Sequence, residues 1–233
     1  GHGGVVIGSE MSGGVKKITI SNCVFDGTDR GIRIKTARGR GGVVEEIRVD
    51  NIIMKNIRNE AIVLDMQYSK TQPQPVSERT PAFRNIHFSN ITAETNNAGV
   101  LNGLEEMPID DVTFQDIQIV AQHGFTIQRA NHIEFHNVRI SSMDGNSLKC
   151  QNVKHLELDG LKTFNPLAAV PTISLNNVED VFVHNCSPLA GTGVFVQLAG
   201  KKTQQVTFKG NNFRNVSKPV VKDDQVMENI VID

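Results

Sequence analysis

The residues best suited to chemistry in this chain are two cations one residue apart, Arg33 and Lys35, in the stretch Gly31-Ile32-Arg33-Ile34-Lys35. Successive side chains of a β-strand point to opposite faces, so Ile32 and Ile34 are expected inside while Arg33 and Lys35 stand about 7 Å apart outside. Two cations on one rigid surface make a seat for an anion. The following run, Arg38-Gly39-Arg40-Gly41-Gly42, adds two more cations and reads as a mobile loop beside that seat. Gly1-His2-Gly3-Gly4 supplies an imidazole upstream, in what reads as a turn leading into the strand Val5-Val6-Ile7.

Composition confines any such site to a local one. The chain has 233 residues, 24 basic and 25 acidic, for a formal net charge of -1. No whole-molecule field therefore favours nucleic acid or an anionic membrane. No run of apolar residues is long enough to span a bilayer, and no start resembles a signal peptide. Cys23, Cys150 and Cys186 lack the spacing of a metal site and read as small buried apolar residues. His132-Ile133-Glu134-Phe135-His136 has zinc-type residues, but on a strand rather than the helix that the zinc signature needs. Neither a metal nor a cofactor is expected.

The elements that must hold the seat follow from a repeat. The phrase apolar-x-x-apolar-x-apolar-x-Asn recurs with its first strand residue at Ile18, Ile47, Ile86, Val112, Ile133, Leu156, Val181, Val206 and Ile230. Self-similarity at this spacing is the mark of a solenoid. Apolar and polar residues alternate within each unit, and no segment holds a helical period. Further short strands lie between the phrases, among them Ile62-Val63-Leu64 and Phe125-Thr126-Ile127. The expected fold is all-β, a parallel β-helix of about nine coils forming a single domain over residues 1–233. The Asn closing most phrases, at 22, 51, 90, 137 and 185, suits a sharp left-handed turn, with Gly160 and Gly210 as substitutes.

Only one interval is oversized, and its surplus, Met66 to Pro81, is polar and proline-rich. It is expected to be an exposed loop that walls a cleft beside the cationic strand. With Val5, Ile32 and Ile62 in register, Val6, Arg33 and Val63 form one column and Gly8, Lys35 and Asp65 another. Gly8 should leave room for a ligand above Lys35, and Asp65 should hold the ammonium from below. The same register sets Asp29 beside His2 and Arg38 beside Tyr68. The expected constellation is therefore His2, Asp29, Arg33, Lys35, Arg38 and Tyr68 on one face.

Gly1-His2-Gly3 followed by Arg33-Ile34-Lys35 resembles the G-H-G and R-I-K motifs of the polygalacturonases, the pectin-cleaving glycoside hydrolase family 28. Ser9-Glu10-Met11-Ser12-Gly13-Gly14 and Thr28-Asp29-Arg30-Gly31 resemble its bacterial members. The resemblance implies a right-handed parallel β-helix. It also implies that His2 supports proton transfer beside the catalytic carboxylates, that Arg33 and Lys35 bind the galacturonate carboxylate, and that Tyr68 contacts substrate. Its implied partner is an acidic, galacturonate-containing polysaccharide, its implied location secreted or periplasmic, and its implied full-length state a monomer.

One departure limits these implications. The family carries its acid and base on N-T-D and D-D motifs upstream of G-H-G, where this sequence has no residues. Asp110-Asp111 lies on the wrong side of the histidine and occupies ordinary repeat positions. The chain thus reads as the C-terminal part of a longer hydrolase domain, cut on its N-terminal side, inactive alone and prone to aggregate through its open first coil. A non-catalytic adhesin-like β-helix and a polysaccharide lyase are the alternatives; the lyase would want a calcium site, for which the sequence shows no acidic cluster. Having no Trp and one Tyr, the chain lacks the aromatic platforms typical of neutral-sugar sites, which favours a charged substrate.

Overall fold

The computed structural model describes residues 2–69, 71–226 and 229–233. Gly1 of the Gly1-His2-Gly3 motif, Lys70 of the long loop, and Met227 and Glu228 at the opening of the last repeat phrase lie outside the described residues. Twelve strands make up the regular structure: β1 Val5–Ile7, β2 Val15–Asp26, β3 Ile32–Lys35, β4 Val43–Asp65, β5 Ala82–Asn102, β6 Ile109–His136, β7 Arg139–Asp159, β8 Ile173–His184, β9 Thr192–Ala199, β10 Gln204–Lys209, β11 Val216–Lys222 and β12 Ile230–Ile232. Every pairing between them is parallel. The result is a right-handed parallel β-helix of about nine turns.

The repeat phrases stack as their alternation dictates. Ile18 pairs with Ile47, Ile47 with Ile86 and Ile86 with Val112. Farther along, Ile133, Leu156, Val181, Val206 and Ile230 follow one another in the same way. These positions point inward and fill the tube. Phe114 sits at its middle, with ring centroids 5.3 Å from Phe88 on the coil before and 4.7 Å from Phe135 on the coil after. Phe125 meets both Phe114 and Phe135 edge-on, at 5.2 and 5.9 Å, a favourable arrangement for aromatic quadrupoles.

The longest strands run around corners, and each corner is made by one residue with positive φ. Asn22, Asn51, Asn90, Asn137 and Asn185 all adopt it (φ 49 to 57°), as do Gly160 and Gly210. Their amides also link coils: Asn51 Nδ2 donates to Asn22 Oδ1 at 2.6 Å, and Asn90 Nδ2 to Asn51 Oδ1 at 3.1 Å. A second left-handed column, formed by Lys17, Glu46, Asn85, Asp111, His132, His155, Asp180 and Gln205, has no such signature in its residue types. Neighbours in the stack offset part of its steric cost. The His132 and His155 rings lie parallel at 4.5 Å, and their Nδ1 atoms contact Asp110 and Asp180.

Cys150 and Cys186 are buried as expected, and burial pushes the Cys186 thiol up to about 12. Cys23, on the first coil, is only half-buried. Its inward neighbours Val5, Val15, Ile18 and Ile20 are likewise only partly covered, whereas Ile32, Val44, Ile47 and Ile52 one coil later are at most 1 % exposed.

Candidate functional site

β3 lies between β1 and β4, with Val5, Ile32 and Ile62 in one register row and Val6, Arg33 and Val63 in the next. Ile32 and Ile34 are fully buried. Alternation therefore fixes Arg33 and Lys35 on the outer face, on a backbone hydrogen-bonded from both sides.

Tyr68 reaches the same place from the long loop. That loop starts rigidly: Met66 N donates to Asn102 O at 2.9 Å, Gln67 N to Asp65 Oδ1 at 3.0 Å, and Tyr68 N to Thr36 O at 3.1 Å. The phenol ring so placed has Lys35 Nζ 4.3 Å from its centroid and the Arg33 guanidinium carbon 5.6 Å away. Both contacts lie within cation–π range. A third cation, Arg40, stands 5.8 Å from the ring. Sequence reasoning left Arg40 in a loop beside the seat, where no periodicity fixes which way a side chain points.

The glycine-rich run is not the mobile loop expected of it. Gly39 N and Gly41 N both donate to Arg79 O, at 3.1 and 2.9 Å, and Ala82 N donates to Gly42 O at 3.0 Å. A Cβ on Gly42 would lie 2.0 Å from the Met11 carbonyl oxygen, so only glycine allows the backbones to pass this closely.

Other expected members have different surroundings. Arg38 does not face Tyr68's ring: its side chain is 6 % exposed and pairs with Glu106, Nε to Oε1 at 2.5 Å and Nη2 to Oε2 at 3.0 Å. Its Nη1 donates to Thr71 O at 2.7 Å, so Arg38 fastens the long loop to the Gly103–Pro108 turn. Asp65 does not hold Lys35 either, because its Oδ1 accepts from Gln67 N and from Asn102 Nδ2, both at 3.0 Å. Gly8 packs on the Lys35 backbone: a Cβ there would lie 2.0 Å from the Lys35 carbonyl oxygen.

Asp29 is bound to Arg30 and accepts from Asn59 Nδ2 at 2.6 Å, which fixes the turn leading into β3. His2 is exposed, next to a stretch pinned by Gly4 N donating to Arg30 O at 2.9 Å. The register carries His2 to the Asp29 end of β3, opposite the end where Lys35 meets Tyr68. Asp110, set aside as catalytic from the sequence, contacts His132 Nδ1 at 2.8 Å on another side of the coil.

A groove of about 710 Å³ lies farther along, lined by Arg129, Asn131, Lys154, Glu179, Lys201 and Lys202 among others. Several of its polar groups already satisfy one another. Lys154 meets Glu179 at 2.7 Å, and Arg129 donates to Asn102 Oδ1 and Gly103 O. The cations around Tyr68 differ in having few protein partners: among the described residues, Arg33 Nε and Arg40 Nη1 are out of contact with solvent and have no hydrogen-bond acceptor.

A planar fork, an ammonium and an aromatic face on fixed backbone form a seat for a carboxylate on a ring-shaped ligand. Residues 1–158 match the family described as Glycosyl hydrolases family 28. This chain belongs to glycosyl hydrolase family 28. Within the family it is 34 % identical to an endo-polygalacturonase of Pectobacterium parmentieri over 131 residues, 56 % of this chain and 31 % of that protein. It is 27 % identical to an exo-poly-alpha-D-galacturonosidase of Dickeya chrysanthemi over 181 residues, 71 % of this chain and 29 % of that protein. The aligned part thus spans under a third of the length of these family 28 relatives. Among solved structures, the A-module of Azotobacter vinelandii mannuronan C-5 epimerase AlgE6 is similar over 88 % of this chain and 64 % of that one, at 11 % identity and a TM-score of 0.47.

Proposed function

We propose that this family 28 chain is the substrate-gripping portion of a pectin-degrading hydrolase that cleaves galacturonosyl linkages. The convergence of Arg33, Lys35 and Tyr68 carries the reading. The two cations take the carboxylate of a galacturonate unit, and the Tyr68 ring packs against the sugar beside it. A methyl-esterified or neutral sugar offers no such charge, so the seat selects free acid. His2, at the other end of β3, assists proton transfer near the bond to be cut. Arg38 and Asp29 serve the same site from behind, Arg38 by holding the loop that carries Tyr68 and Asp29 by setting the turn before β3.

Inverting hydrolysis needs one carboxyl to protonate the leaving oxygen and another to activate water, typically ~6.5–9.5 Å apart. In this reading those groups belong to coils that stack on the outer edge of β1 and β2. The partly covered Val5, Val15, Ile18 and Ile20 support such a stack, since another coil would bury them as their counterparts are buried. The 233-residue chain alone is then a binder and not a hydrolase; release of reducing sugar from polygalacturonate by this chain would refute that.

Titration with trigalacturonate tests the seat. Arg33→Ala and Lys35→Ala are each expected to weaken binding about 10- to 100-fold, in line with ~1.5–3 kcal/mol for a hydrogen bond to a charged group. Unchanged affinity in both variants would remove the proposal.

A further inference from the structure

We infer that Arg40 completes a second carboxylate position, so that the cations around Tyr68 hold two neighbouring uronate units at once. This rests on the reading of Arg33 and Lys35 as carboxylate ligands and extends it to a residue that no sequence motif singled out.

Three positive groups converge on one ring, Arg33, Lys35 and Arg40 at 5.6, 4.3 and 5.8 Å from its centroid. Like charges gathered this way repel unless anions lie among them. Among the described residues the only ion pair formed by any of the three is Arg40 Nη2 with Glu10 Oε1, at 3.2 Å. Glu10 is 82 % exposed, and a pair of that kind is weak and readily exchanged. One incoming carboxylate would leave the cluster positive. With Glu10 still in place, two would balance it.

The donor inventory leads to the same place. Buried N–H groups nearly always find an acceptor, yet among the described residues Arg33 Nε and Arg40 Nη1 have none. Both belong to guanidinium groups beside the ring of Tyr68, a residue 46 % exposed. Arg40 is also presented on fixed backbone, because Gly39 and Gly41 share Arg79 O as acceptor. A Cβ on Gly41 would lie 2.6 Å from Glu78 O, so the flanking glycine is what lets this arginine be held so close to the long loop. The Arg33–Lys35 pair and Arg40 thus flank one aromatic face, which suits consecutive acidic sugars of one chain.

NMR titration, which reads millimolar affinities, separates one position from two. Arg40→Gln is expected to weaken digalacturonate about 10-fold and galacturonate monomer less than twofold, while Arg33→Gln weakens both. Arg40→Lys, which keeps the charge and loses the fork, should fall between wild type and Arg40→Gln. Glu10→Gln removes the competing anion and should tighten digalacturonate by up to about fivefold. Equal losses for monomer and dimer in Arg40→Gln, or no loss for either, would overturn the second position and leave the first intact. An unaffected dimer in Arg33→Gln would instead overturn the seat itself.

Discussion

Glu106→Ala is expected to lower stability by about 1.5–3 kcal/mol, the usual worth of hydrogen bonds to a charged group in a partly buried pair. Arg38 would remain 6 % exposed with two of its donors unanswered. The double variant Arg38→Met, Glu106→Leu should recover most of the loss, because an apolar pair of similar volume leaves no uncompensated charge. Chemical denaturation of the three proteins measures this; a single variant within 1 kcal/mol of wild type would show that the clasp is not structural. The pair also has a pH signature. The hydrogen bond from Arg38 holds the Glu106 carboxyl below its ordinary value, outweighing burial, which acts the other way. A carboxyl depressed in the folded state contributes fully above its unfolded pKa of about 4.3 and progressively less as pH falls through the folded value. Melting temperature should therefore fall below about pH 4.3 more steeply in wild type than in the double variant.

Phe114→Ala is expected to have a larger effect, about 3–5 kcal/mol, through the cavity left in a close-packed core. Phe88 on the coil before, Phe135 on the coil after and Phe125 farther along β6 would each lose a neighbour. In a solenoid each coil contacts only those adjacent to it, so the damage should be local. Hydrogen exchange should rise most in β5, β6 and β7 and least in β9 and β11. A uniform rise along the chain would contradict nearest-neighbour stability.

The repeat made the ladder legible before any coordinate was known. Alternation decides which residues face inward, and inward residues stack at one spacing, so the Val5, Ile32, Ile62 register followed from the sequence alone. The same register set Arg33, Lys35 and Tyr68 on one face, although it put Arg38 rather than that pair beside Tyr68. What escaped was set by loops. Arg38 meets an acid 68 residues away, and no local pattern records such a partner. The glycines of residues 39–42 read as freedom, yet they serve close approach between backbones. The second left-handed column escaped because Lys17, Glu46 and Gln205 are not residue types that favour that conformation.

Tyr68 is the only tyrosine in a chain without tryptophan, and its ring is the surface on which the three cations meet. The near-ultraviolet fluorescence of the whole molecule thus comes almost entirely from one phenol at the mouth of the seat. Occupancy can be followed optically without any label, and a ligand that settles elsewhere on the solenoid will leave that signal still.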